Sequence, residues 1–195
     1  VAGVIDAAVM QLLQVSETRA SNEPVGIDRA VSTFLDALQD RVDGKTDAMR
    51  TGIGPIDKAT SGGIRPGELW VVGARPSMGK TAITLTVSRC MARDYSVLFL
   101  TQEDSIEASV TRQAASEGRI SLTRLRGGNL SDEEWGRLSE AVESLRTMNL
   151  RVDDQGALTL LDVRRKAQQV KRKHGLHVVV IDYLQLMTGD GDNRN

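Results

Sequence analysis

Apolar runs and helically spaced apolar stripes take turns along the chain, and their order predicts its elements. Val4, Ile5, Ala8, Val9, Leu12 and Leu13 share one helical face. Residues 16–26, SETRASNEPVG, lose all periodicity and read as a linker. A stripe returns at Ile27, Ala30, Val31, Phe34, Leu35, Leu38 and Val42, with Asp28, Arg29, Asp36, Asp40 and Arg41 mostly off it, which predicts an amphipathic helix over 27–42. Whether that stripe covers the chain's own core or docks on a neighbouring subunit is open at this level.

Residues 43–67 form a glycine-rich approach with a short helix near 56–60 and a turn at Pro66-Gly67. Strands and helices then alternate. The apolar run from Glu68 predicts a strand, Ala82, Ile83, Leu85 and Val87 a buried helix, and residues 95–100, YSVLFL, a second strand followed by a helix from Asp104 to about Glu117. Ser131 and Glu134 have capping-box spacing before a stripe at Trp135, Leu138, Val142 and Leu145, which places Trp135 in the core. Residues 148–152 suit a third strand, and Thr159 caps a helix reaching about His174. The run 177–181, HVVVI, reads as a strand buried on both faces of a parallel sheet. This alternation indicates an α/β domain with a mostly parallel sheet flanked by helices.

Composition changes the picture only by exclusion. With 195 residues, 40% apolar and 26% charged, the chain has the make-up of an ordinary globular protein. A net charge of −1 gives no global basic field for nucleic acid, and 3% aromatics argue against base-stacking platforms. Cys90 is the single cysteine, which excludes an intrachain disulfide and makes a reducing cytoplasm the default location. No apolar run reaches membrane-spanning length. The start at Val1 reads as part of something longer.

The chemistry concentrates where the first strand breaks. In ELWVVGARPSMGKT, residues 68–81, the segment Ala74, Arg75, Pro76, Ser77, Met78, Gly79, Lys80, Thr81 has the spacing of the phosphate-binding loop, with Ala74 in place of its first glycine; Ala82 continues into the helix. Such a loop turns backbone N–H groups toward a polyphosphate at a helix N-terminus. Gly79 permits close approach, Lys80 supplies charge, and the Thr81 hydroxyl can ligate Mg2+. Glu103 falls at the carboxyl end of the second strand, where α/β sheets bind ligands, and is read as the general base. The bland alternative makes Asp104 and Glu107 a helix cap with Glu103 a solvated neighbour. Asp182, after HVVVI, is read as the second magnesium-site element. No Asn-Lys-x-Asp signature follows it, so ATP is favoured over GTP. Arg112, Arg119, Arg124 and Arg126 read as surface charges. Arg164, Arg165, Lys166, Lys171, Arg172 and Lys173 make a basic helix face, read as solvated rather than DNA-contacting.

Residues 51–81 and IDYLQLM, 181–187, resemble the bacterial and phage replicative DNA helicases of the DnaB family, and the resemblance extends over about 27–195. It implies a RecA-like, ATP- and Mg2+-dependent motor in a hexameric ring that moves 5′ to 3′ on single-stranded DNA, meeting a primase and a helicase loader in the cytoplasm. It also implies the roles of Lys80 and Thr81 on phosphate and magnesium, of Asp182 on magnesium and of Glu103 in activating water. TQED stands here where relatives more often have SLEM. By the same resemblance, residues 1–15 are a remnant of a helical N-terminal domain, 16–50 a linker whose helix docks on the adjacent subunit, and 51–195 the ATPase domain, cut before its arginine finger. Residues 187–195 then begin the first central-channel loop, and the 195-residue chain is expected to bind Mg-ATP but hydrolyse it slowly. The rival readings are another RecA-like ATPase, of recombinase or clock type, and a non-catalytic assembly module.

Overall fold

The structure is a computed structural model that describes residues 24–75, 77–183 and 187. The helix expected over 4–13, and all but one residue of the loop expected over 187–195, lie outside the described residues. The chain divides into two units at Asp47/Ala48.

In the first unit the 27–42 stripe forms helix α1, Ile27–Val42, with Asp28 in its first turn and Arg41 in its last, both complementing the helix dipole. None of its residues is buried: Ile27 is 79% and Phe34 56% exposed.

The second unit opens on a knot of short-range bonds. Asp57, in helix α2, Gly54–Ala59, accepts the Thr51 N–H and hydroxyl at 2.8 and 2.6 Å and the Gly52 N–H at 3.2 Å. An antiparallel bridge joins Met49 to Ile64. Gly63 is required beside it, because a Cβ there would lie 2.0 Å from the Met49 carbonyl oxygen. The turn at Pro66-Gly67 forms as expected, with the Glu68 N–H donating to Arg65 O and Gly67 at φ +83°.

The strand expected from Glu68 does not form. Residues 68–75 join no ladder among the described residues, and Leu69 and Val71 are 85% and 73% exposed. β-propensity describes fit to a pleated, half-buried surface, and a strand exists only where a partner strand accepts from its N–H groups and donates to its C=O groups.

Helix α3, Lys80–Met91, follows the loop and buries Leu85, Ser88, Arg89 and Met91, while Ala82 is exposed and Ile83 and Val87 are half-buried. Next come strand β1, Val97–Thr101, and helices α4, Ile106–Glu117, α5, Leu122–Arg126, and α6, Asp132–Thr147. Strand β2, Leu150–Asp153, helix α7, Leu160–His174, and strand β3, Val178–Asp182, complete the described elements. The sheet is parallel, in order β2-β1-β3, with Val97 opposite both Leu150 and Val178. Every residue of β1 is buried, as a central parallel strand covered on both faces must be. Alternation sorts its side chains: Val97 packs with Met91 and Val178, whereas Leu98 and Leu100 pack with Leu158 and Val163. The helices are locked by one carboxylate. Glu117 of α4 takes Arg89 Nε of α3 at 3.1 Å, Arg93 at 2.7 Å and the Ser144 hydroxyl of α6 at 2.8 Å.

Both capping boxes form, Ser131 with Glu134 and Thr159 with Asp162. Trp135 is not in the core; it is 53% exposed. The covered side of α6 carries Ala141 and Glu134, because α6 packs on a helix along a narrow contact and leaves the flank bearing Trp135 to solvent. Beside it runs an open groove of about 490 Å³ lined by Val110, Ala114, Leu125 and Leu138 among others. Of the arginines read as surface charges, Arg112 pairs with Asp104 and Arg124 with buried Glu134.

Candidate nucleotide site

Gly79 precedes α3 in the left-handed region, φ +86°, and no atom lies within 4 Å of where its Cβ would be, so backbone conformation rather than crowding calls for glycine. Ser77 also has positive φ, +63°, and Pro76 lies outside the described residues. No side chain caps the α3 N-terminus, so its first amides are left for another acceptor. Ala74, Arg75, Met78 and Gly79 are exposed, while Lys80 and Thr81 are half-buried. The Thr81 hydroxyl makes no hydrogen bond among the described residues.

The sheet brings Asp182 to this helix start and puts Glu103 just past the end of the neighbouring strand. Asp182 is the last residue of β3 and pairs in register with Thr101, so Glu103 lies two residues beyond the neighbouring strand's end. Asp182 is 1% exposed, and neither carboxylate oxygen has a hydrogen-bond partner among the described residues. Its one charge partner there is Lys80, whose Nζ lies 3.5 Å from Oδ1. A buried carboxylate with unfilled acceptor sites is costly unless a cation completes it. The two carboxylate oxygens and the Thr81 hydroxyl on α3, all without a hydrogen bond among the described residues, fit a magnesium ion.

Glu103 sits on a tightly tied turn. The Thr101 hydroxyl donates to Asp104 O at 3.0 Å and accepts the Asp104 N–H at 3.1 Å, and the Asp154 carboxylate accepts the Ile106 N–H at 3.0 Å. Glu103 itself is exposed and makes no side-chain bond among the described residues. The cap of α4 is Ser105, which accepts the Ala108 N–H, so Asp104 and Glu107 do not form the cap considered from the sequence. Asp104 instead pairs with Arg112 at 3.3 Å.

Two residues at the site escaped the sequence. Tyr183 places its ring 3.4 Å, centroid to Nζ, from the Lys80 ammonium. Gln102 bonds to the end of β3 and to Leu158 in the loop between β2 and α7. Tyr183 stands beside Asp182 in IDYLQLM, but no spacing rule assigns an aromatic to a phosphate lysine.

The helix-and-parallel-sheet domain with a phosphate loop at one helix start is that of RecA-like helicase ATPase domains. The chain aligns with one such ATPase domain of solved structure at TM-score 0.76 and 26% identity, covering 89% of this chain and 62% of that one. It aligns with a DnaB-like replicative helicase, studied for its interactions with primase, at TM-score 0.79 and 27% identity, covering 96% and 46%. Residues 48–195 match the DnaB-like helicase C terminal domain, and the chain belongs to that family. It is 35% identical over 196 residues to the replicative DNA helicase DnaB of Geobacillus stearothermophilus, covering 98% of this chain and 43% of that protein. With the replicative DNA helicase DnaC of Bacillus subtilis it shares 36% identity over 174 residues, covering 86% and 38%. The chain thus spans less than half the length of these curated relatives. No described helix is long and apolar enough to cross a membrane.

Proposed function

We propose that the chain is the ATP-driven motor portion of a replicative DNA helicase, acting in a hexameric ring that tracks 5′ to 3′ along single-stranded DNA in the cytoplasm. The observation that carries this reading is Asp182, buried beside Lys80 at the start of α3 with no hydrogen-bond partner among the described residues. Lys80 would neutralise the β- and γ-phosphates, and the free amides of α3 would donate to their oxygens. Thr81 and Asp182 would hold Mg2+, which supplies charge neutralisation on the phosphates. Glu103, at the adjacent strand end, would take the proton of the attacking water. Lys80 must exchange Asp182 and the Tyr183 face for phosphate when nucleotide binds. Residues 51–195 carry this chemistry. The exposed stripe of α1 would seat on the next subunit, and a primase and a loader would engage the ring, in keeping with the structural neighbour studied for its interactions with primase.

The test is unwinding of duplex DNA bearing a 5′ or a 3′ single-stranded tail, with ATP, by the polypeptide at its full encoded length. Unwinding from the 5′ tail alone is expected. ATP hydrolysis without unwinding from either tail would overturn the helicase assignment.

A further inference from the structure

We infer that Gln102 is a positioning residue that holds the Glu103 turn in register with the Asp182 strand end; the inference rests on the reading of Glu103 as the base. Gln102 directly follows the central strand β1. Its backbone N–H donates to Asp182 O at 2.9 Å, continuing the β1–β3 ladder one step past the sheet. Its side chain reaches both ways. Nε2 donates to the Tyr183 carbonyl oxygen at 3.2 Å, and Oε1 accepts the Leu158 N–H at 3.0 Å. Leu158 is fully buried in the loop between β2 and α7, where it packs on Leu98 and Leu100.

The two partners fix the amide's orientation, since a carbonyl demands the NH2 group and an N–H demands the oxygen. One side chain therefore ties the continuation of β3 to the β2–α7 loop, with β1 between them. The two carboxylates of the site flank this tie: Glu103 is the next residue in the chain, and Asp182 precedes the bonded Tyr183. The pinned Asp104 backbone and the Asp154–Ile106 bond hold the far side of the same turn. Glu103 itself has no side-chain partner among the described residues, so its aim is set by the backbone that carries it, and Gln102 sets that backbone. A residue that only filled space or satisfied Leu158 would have no use for the second bond to Tyr183. An aliphatic residue at this position would make neither side-chain bond.

The test uses the polypeptide at its full encoded length and compares Gln102→Met, of similar size without either bond, with Glu103→Gln. Nucleotide affinity, kcat, KM and the thermal midpoint are measured for each. Gln102→Met is expected to lower kcat by roughly 10- to 100-fold while nucleotide affinity stays within about twofold, because small misplacement of a catalytic group costs rate rather than binding. Should Gln102→Met not yield folded protein, Gln102→Glu decides by the same readout, since it keeps the acceptor for Leu158 and loses the donor to Tyr183. A kcat within about twofold of the parent, or affinity and kcat falling together, would overturn the positioning role. If Glu103→Gln itself leaves kcat intact, the base assignment fails, whatever Gln102 does.

Discussion

At the scale of single residues, the site is a balance between a buried anion and the lysine beside it. Asp182 stands with both oxygens unsatisfied among the described residues and only Lys80 to offset its charge. Asp182→Asn should therefore raise the thermal midpoint of the nucleotide-free protein by a few degrees, roughly 1 kcal/mol or more, because a buried carboxylate with both acceptors unfilled is neutralised while the partly exposed Lys80 ammonium is left to solvent. The same variant should lose the magnesium-dependent part of nucleotide affinity, and calorimetric unfolding with parallel nucleotide titrations checks both. Lys80→Ala is expected to weaken nucleotide binding by about 10- to 100-fold, the worth of hydrogen bonds to a charged group. Glu103→Gln should leave binding in place and slow single-turnover hydrolysis by about 10²- to 10⁴-fold, the usual contribution of a general base. Equal loss of binding in both variants would count against Glu103. The sequence could propose Lys80, Thr81, Glu103 and Asp182 as site residues because each has a fixed offset from a predicted strand or helix end. It could not propose Gln102 and Tyr183, because their partners lie 56 and 81 residues away and 103 residues away in the chain, respectively.

At the scale of elements, local chemistry sets where helices begin. The Thr159 hydroxyl, first, and then its backbone N–H and Arg165 hold the Asp162 carboxyl below its ordinary value. The Ser131 backbone N–H does the same for Glu134, aided by Arg124. For Asp57, burial pushes upward, but the bonds from Thr51 and Gly52 outweigh it and the net shift is downward. A carboxyl depressed on folding adds stability above its unfolded pKa, and that stability is lost as pH falls through the folded value. Acid destabilisation should accordingly begin near pH 4 and deepen below it. Thr159→Ala should cost about 1 kcal/mol at neutral pH through the lost cap and flatten the acid limb of a melting-temperature profile, since Asp162 then titrates closer to its unfolded value. The Ser131–Glu134 box and the Thr159 cap were legible because they are written within four residues; the return bond from Thr159 to Asp162 is supplied by the structure. The strand from Glu68 and the burial of Trp135 were not legible: both depend on what lies across from them, and an apolar pattern states a preference for burial without naming the surface that provides it.

At the scale of the whole molecule, the apolar stripe of α1 has no buried residue among the described residues. If the stripe seats on the next subunit as proposed, the polypeptide at its full encoded length should sediment as an oligomer, and Phe34→Asp combined with Leu38→Asp should reduce it to monomer in sedimentation velocity. The thermal midpoint of the monomer should stay where it was, because both side chains are already exposed in one copy. A fall in that midpoint would assign the stripe to the chain's own packing. The sequence by itself determined the helices, the three strands of the parallel sheet and the caps at Ser131 and Thr159, since these follow from periodicity and short-range hydrogen bonding, and it singled out the candidate phosphate loop and acidic residues by their spacing. Only the tertiary structure decided that β1 lies between β2 and β3, that Lys80 and Asp182 meet across 102 residues of chain, and that Gln102 ties the strand ends together. Strand order and long-range contacts arise from packing surfaces against one another, and that choice is made by the folded whole rather than by any local stretch.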